Sequence, residues 1–249
     1  MHSIFRLEQV CLNARLNVNS KESLPGYSIL KDISFEVPTG ARVAIVGATG
    51  AGKTFLLRLL NRLSTPTSGT IYFDNQDYSL IPVQKLRSEV VLVPQESRLL
   101  GMTVKDALSY PLVLRGLPKV EISQRVNQWV ELLQIPDDWL GRTEVQLSAG
   151  QRQLVCIARA LAIQPKVLLL DEPTSNLDVG TTQRLLQTFK KLVDTTVLIV
   201  NHQLDIASSC DNVIHLSQGR LISNQTKSDI NWELLKASII QAEAEDDFI

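Results

Sequence analysis

The stretch that most constrains this chain is Gly47-Ala48-Thr49-Gly50-Ala51-Gly52-Lys53-Thr54. It follows an apolar run at residues 43–46, which reads as a buried strand, and precedes residues 55–60, which read as a helix. A strand feeding a glycine-rich loop that opens a helix is the context a phosphate-binding loop requires. The glycines let successive backbone N–H groups point inward at phosphate oxygens. The helix beginning at Lys53 adds the positive end of its dipole. In this pattern Lys53 reaches the β- and γ-phosphates and the Thr54 hydroxyl holds Mg2+. The plain alternative is a ligand-free glycine turn between strand and helix. The flanking strand and helix weigh against it, and the implied ligand is a nucleoside triphosphate.

The remaining pattern says what such a loop is embedded in. Residues 4–12 read as a strand, 13–28 as a loop, 29–37 as a strand and 42–46 as the strand feeding the loop. Residues 70–73 read as another strand closed by a left-handed turn at Asp74-Asn75. Residues 90–95 read as a buried strand ending in the polar Gln95. Between residues 103 and 133 the periodicity becomes helical, with Ile122, Val126, Trp129, Val130 and Leu133 on one stripe. That stripe reads as core packing in a helical lobe inserted into an α/β body. Helices are expected at 151–163 and 179–192, strands at 167–170 and 196–200, a hairpin at 213–223, and a last helix at 229–242 before an acidic tail. Strands alternating with helices imply a parallel sheet.

A chain of 249 residues fits one large α/β domain or one domain with an inserted lobe. Its net charge of −1 offers no basic surface for non-specific nucleic-acid binding. The three cysteines are odd in number and form no CxxC pair. That argues against a disulfide framework or zinc site and fits a reducing cytoplasm. No signal-like segment opens the sequence, and its apolar runs are strand-sized, far short of a membrane span. The expectation is no direct membrane insertion, so any role at a membrane would come through a partner.

Beyond the phosphate loop, residues 167–170 form a hydrophobic strand that ends in Asp171 and Glu172. An aspartate at such a strand end helps hold Mg2+. The adjacent Glu172 then suits polarising the water that attacks the γ-phosphate. Twenty residues earlier stands Leu147-Ser148-Ala149-Gly150-Gln151, which resembles the signature motif of ATP-binding cassette (ABC) ATPases. Asp171-Glu172-Pro173-Thr174-Ser175-Asn176-Leu177-Asp178 resembles their Walker B segment running into the D-loop. Gln95 matches the Q-loop glutamine and His202 the switch histidine. The five motifs stand in the family's order and cover the chain from about residue 4 to residue 223.

The resemblance implies the ABC ATPase fold: an α/β P-loop NTPase core with a parallel sheet, an N-terminal antiparallel β portion and an inserted helical subdomain. The implied single domain has its core at about 1–95 and 160–225, its helical subdomain at about 96–159, and a C-terminal helix and acidic tail at about 226–249. Lys53 and the amides of Gly47, Ala48, Thr49, Gly50, Ala51 and Gly52 would bind phosphates. Thr54, Gln95 and Asp171 would serve the Mg2+ shell, Glu172 would be the general base, and His202 would contact the γ-phosphate. Ser148, Gly150 and Gln151 would act on the ATP of a second copy, with Asp178 crossing the interface of that nucleotide-sandwich homodimer.

Two departures from the family pattern stand out. Ala149 replaces a usual glycine, and the expected adenine-stacking aromatic is replaced by Asn13, Ala14 and Arg15, with Tyr27 as the candidate substitute or simply a loop tyrosine. The resemblance further implies an ATPase subunit acting on separate transmembrane permease subunits at the cytoplasmic face of the membrane. Residues 104–116 are similar to ATPases of the bacterial iron-efflux and plant aluminium-tolerance type. Efflux or metal homeostasis is therefore the expected direction. The alternatives are nutrient uptake and a soluble ABC ATPase without a transporter, such as an iron–sulfur assembly factor.

Overall fold

Strand β3 (Arg42–Val46) divides the protein into two apolar cores. Val43 and Ile45 enter one core, and Ala44 and Val46 enter the other. The same alternation splits β7 (Val167–Asp171), where Val167 and Leu169 face one side and Leu168 and Leu170 the other. In β8 (Thr196–Val200), Leu198 and Val200 oppose Val197 and Ile199. A strand covered on both faces has no place for a polar alternate, which is why these segments read as unbroken apolar runs. The computed structural model describes residues 2–15 and 25–246.

Among the described residues the central sheet has the order β10-β9-β3-β8-β7-β6, with β6 at Val90–Val93, β9 at Asn212–Ser217 and β10 at Arg220–Thr226. Its strands pair in parallel except β10, which turns back on β9 around Gln218 and Gly219, both at positive φ. One face is covered by helix α1 (Lys53–Leu60) and by a second, antiparallel sheet. That sheet has the order β2-β1-β4-β5, from β1 (Ser3–Arg15), β2 (Pro25–Pro38), β4 (Ser68–Phe73) and β5 (Gln76–Asp77). The segment expected as a loop over 13–28 is instead strand at both of its ends; its middle, residues 16–24, lies outside the described residues. The reason is cross-strand pairing of Asn13 with Ser28, which polarity of composition does not reveal.

A short helix, α2 (Val83–Glu89), precedes β6 and has no counterpart in the sequence reading. The region expected to be helical over 103–133 is two helices, α3 (Val104–Leu114) and α4 (Lys119–Leu132). Gly116 at positive φ and the capping Pro118 separate them. With α5 (Ala149–Ala162) they pack pairwise around Leu108, Val126, Trp129 and Leu154. Helix α6 (Val179–Lys190) adds Leu185 and Phe189 to the same core. After the short α7 (Leu204–Ala207), helix α8 (Trp232–Asp246) adds Leu235; Asp247, expected in the acidic tail, lies outside the described residues. No helix among the described residues is long and apolar enough to cross a membrane.

Candidate nucleotide site

The central sheet delivers the motif residues to one edge. The glycine loop follows β3, Gln95 follows β6, Asp171 ends β7 and His202 follows β8. The carboxyl ends of parallel strands are where open α/β sheets form ligand crevices, because the loops diverge there. The loop is tightly seated. Gly47, Gly50 and Gly52 all have positive φ. A Cβ on Gly47 would strike the Leu216 carbonyl, and one on Gly52 would crowd Leu30. Glycine is therefore demanded here by both backbone geometry and space.

Lys53 is buried, and its Nζ donates to the carbonyls of Gly47 at 2.8 Å and Ala48 at 2.7 Å. Burial lowers its pKa, against the pull of Glu172, Asp171 and Glu243. The ammonium thus rests on loop carbonyls at the mouth where phosphate oxygens would approach. Thr54 Oγ1 donates to Asp171 Oδ1 at 3.1 Å, joining the first turn of α1 to the end of β7. Burial raises the Asp171 carboxyl pKa and neighbouring Glu172 pushes the same way, opposed by the Thr54 hydrogen bond. A hydroxyl and a carboxylate side by side are hard oxygen donors of the kind Mg2+ takes when phosphates and water complete its shell.

Glu172 joins the rest. Its backbone is left-handed at φ 49, an unusual state for a residue with a Cβ, and its N–H donates to the Val200 carbonyl at 3.0 Å. Its Oε1 lies 2.7 Å from His202 Nε2, and its Oε2 accepts from Gln95 Nε2 at 3.1 Å. One carboxylate therefore gathers the residues that follow β6 and β8. Supporting bonds run from Asn201 Nδ2 to Thr174 Oγ1 at 2.7 Å and from the Gln203 N–H to Asn201 Oδ1 at 2.7 Å. Asn201 and Thr174 are buried polar residues that the sequence reading passed over; their flanking positions beside Glu172 and His202 were the only signal.

The signature residues Ser148 and Gln151 bond to each other at the start of α5, and Ala149 lines one cavity with Gln95. Ser148 is the N-cap of α5: its Oγ accepts the Gln151 N–H at 3.2 Å, and Gln151 Oε1 accepts the Ser148 N–H at 2.8 Å. This reciprocal cap leaves the Ser148 hydroxyl proton free to donate. Ala149 has ordinary helical geometry within α5, so its position needs no glycine backbone. Gly150 is different, since a Cβ there would collide with the Asn176 carbonyl oxygen. Asp178 caps α6, accepting the Thr181 N–H at 2.9 Å, and its carboxyl pKa is lowered by that bond. Tyr27 is exposed on β2, two residues before Ile29, whose carbonyl lies against Gly52.

A family model described as ABC transporter matches residues 30–175. Methionine import ATP-binding protein MetN 3 of Pectobacterium atrosepticum is 40% identical over 209 residues, which cover 81% of this chain and 61% of that protein. The chain thus spans about three-fifths of the length of that curated relative. Among solved structures, cbiO1 from Clostridium perfringens, part of the ABC transporter complex cbiONQ, aligns at TM-score 0.78 and 31% identity over 97% of this chain and 94% of that one. A dimeric ATP-binding cassette in a post-hydrolysis state, bound to ADP and Pi, aligns at TM-score 0.79 and 26% identity over 90% of this chain and 98% of that one.

Proposed function

Since the chain belongs to the ABC transporter family, we propose that it is the ATP-hydrolysing subunit of an uptake system, working as a nucleotide-sandwich dimer beneath separate transmembrane permease subunits. The observation that carries the catalytic reading is the Glu172 carboxylate, held between Gln95 and His202 beside the Thr54–Asp171 pair. Residues 47–52, Lys53 and Thr54 cradle the phosphates through amides and the lysine charge. Glu172 takes the proton of the attacking water as the new P–O bond forms at the γ-phosphorus and the bond to the β-phosphate oxygen breaks. His202 and Gln95, now bonded to Glu172, orient that water and the γ-phosphate once nucleotide arrives.

Thr54, Asp171 and the Gln95 amide oxygen would hold Mg2+, which when bound neutralises phosphate charge. Ser148, Gly150 and Gln151 present the start of α5 to the partner copy's ATP, a helix N-terminus suited to an anion. Asp178 would cross the interface between the two copies. Tyr27 offers adenine an aromatic face. In this reading the core is about 1–95 and 160–225, the inserted lobe about 96–159, and the C-terminal helix and tail about 226–249.

A groove of about 390 Å3 runs between the end of β6, α3 and α5, lined by Pro94, Arg98, Leu100, Tyr110, Pro111 and Leu114. Leu100, Tyr110 and Leu114 are exposed there, which suits a helix from a membrane partner at the cytoplasmic face. Uptake replaces the efflux and metal-homeostasis expectation, because a relative 40% identical over 81% of this chain is named as an import protein. Its name makes methionine the first solute to test.

The Glu172→Gln variant keeps the shape of the side chain while removing its basicity. It should bind ATP, form a stable dimer by light scattering, lose turnover by about a hundredfold or more, and retain a multi-span membrane protein on purification in mild detergent. Vesicles carrying the parent complex should take up labelled methionine when ATP is supplied on the side of this chain. A variant that hydrolyses ATP at the parent rate would remove Glu172 as the base. ATP-driven release of solute would restore the efflux reading.

A further inference from the structure

The segment between Gln95 and α3 has no helix or strand of its own, yet its backbone is fastened at several points. Ser97 Oγ donates to Gln153 Oε1. The Arg98 carbonyl accepts Arg159 Nη1 at 3.2 Å and the Cys156 thiol at 3.6 Å. The N–H of Leu99, a fully buried residue, donates to Glu144 Oε2 at 2.8 Å. Thr103 and Thr143 form a bridge, and the Val104 N–H donates to the Arg142 carbonyl at 2.9 Å. These partners all lie on α5 or on the turn leading into it. At the other end of the segment, Gln95 bonds to Glu172 in the core.

Glu144 has a particular place among these partners. It begins the one-turn 3-10 helix Glu144–Gln146, which Thr143 and Gln146 close with a reciprocal cap. Arg152 Nη1 holds that turn to α5 by donating to the Leu147 carbonyl at 2.7 Å. Ser148 follows at once. The Leu99 N–H is a buried donor, and a carboxylate acceptor makes its bond charge-assisted; at 2.8 Å it is shorter than the thiol and guanidinium contacts on the neighbouring Arg98 carbonyl. Leu99 stands between Arg98 and Leu100, both of which line the groove described above. A displacement of the groove wall therefore pulls on Glu144, and through it on the turn that sets Ser148.

We propose that Glu144 is a positioning residue that couples the Arg98–Leu100 wall of the docking groove to the signature turn at Ser148, through its carboxylate on the Leu99 N–H. The proposal rests on the reading of this chain as a dimeric ATPase, in which Ser148 serves the partner copy's nucleotide. It touches no nucleotide itself. Loss of the Glu144 carboxylate should leave each chain's own phosphate loop untouched while misplacing the signature turn. The effect belongs on turnover rather than on ATP affinity.

The test compares the full chain with Glu144→Ala and with Glu144→Gln, which keeps a carbonyl acceptor in place. Three quantities are read: ATP affinity of the monomer, kcat, and amide exchange at Leu99 without nucleotide. The expected result for Glu144→Ala is faster Leu99 exchange, unchanged ATP affinity, and kcat lower by about tenfold or more, as for loss of a charge-assisted hydrogen bond. Glu144→Gln should recover most of the kcat. A Glu144→Ala kcat within about twofold of the parent overturns the proposal, since that is less than one hydrogen bond is worth. So does a parallel loss of ATP affinity, or a Gln variant as slow as the Ala variant. A parent chain that hydrolyses no ATP would instead defeat the proposed function; the tether is then judged on exchange, where unchanged Leu99 protection in Glu144→Ala overturns it.

Discussion

Asp171 and Lys53 are each buried in the charge state that burial disfavours, and that conflict marks residues kept for a ligand rather than for stability. A folded-state carboxyl pKa raised above the unfolded value means that ionising Asp171 at neutral pH costs folding free energy, a cost relieved only as pH falls into the carboxylate range. Asp171→Asn should therefore melt at a higher temperature than the parent without nucleotide. Adding Mg2+ with ATP should stabilise the parent by mass action and the variant much less; calorimetry of the two pairs decides it. Lys53→Ala should weaken ATP binding by at least about tenfold, the worth of a charged hydrogen bond, with nucleotide-free melting unchanged or raised because a desolvated ammonium is gone. Near-parent ATP affinity would refute the phosphate-loop assignment. Lys53 and Thr54 were legible in the sequence because their chemistry is local: a curled backbone, a lysine and a hydroxyl must lie within one turn. The bonds from Glu172 to Gln95 and His202 were not, since they join residues brought together only by sheet order.

Elements were legible where both faces of a strand are buried, as in β3, β7 and β8, and illegible where pairing decides. Strands β1 and β2 reach into polar sequence because cross-strand partners satisfy their backbones there. Helix α2 was missed because seven residues with Leu86 as the sole buried side chain leave too little periodicity to see. The start of α5 shows the same limit in one residue. Gly150, which the resemblance assigns to the second copy's ATP, also makes room within the chain for the Asn176 carbonyl. Alanine gains up to about 1 kcal/mol over glycine inside a helix, but overpacking against a fixed carbonyl costs about 1–3 kcal/mol. Gly150→Ala should therefore lower the melting temperature and slow turnover while leaving ATP binding intact. Ala149→Gly, which meets no such neighbour, should change stability by less than about 1 kcal/mol. Equal melting of Gly150→Ala and parent would show that the Asn176 segment yields freely.

At the scale of the whole molecule, the sheet that carries the nucleotide loop is clamped at β9, and β9 contains a buried titratable group. Its alternation places Ile214 and Leu216 in the core beneath α1, with Val213 in the opposite core. His215 therefore points the same way as Val213. It pairs with Val46 at the end of β3, and its Nε2 has no hydrogen-bond partner among the described residues. Burial lowers its pKa below the ordinary 6.5. The unfolded chain then binds a proton on His215 at a pH where the folded chain resists it, so stability falls as pH drops below 6.5 and goes on falling until the folded group also titrates. Above that window this histidine adds no pH dependence. Denaturant midpoints should stay level through the neutral range and decline on the acid side, and His215→Leu should flatten the decline. Because Leu216 of the same strand presses its carbonyl on Gly47, ATP affinity should fall in step with stability in the parent and less in the variant. A parent and His215→Leu pair with parallel acid declines would assign the pH dependence elsewhere. Coincident declines in stability and ATP affinity that vanish together would make β9 the strand through which acid reaches the phosphate loop.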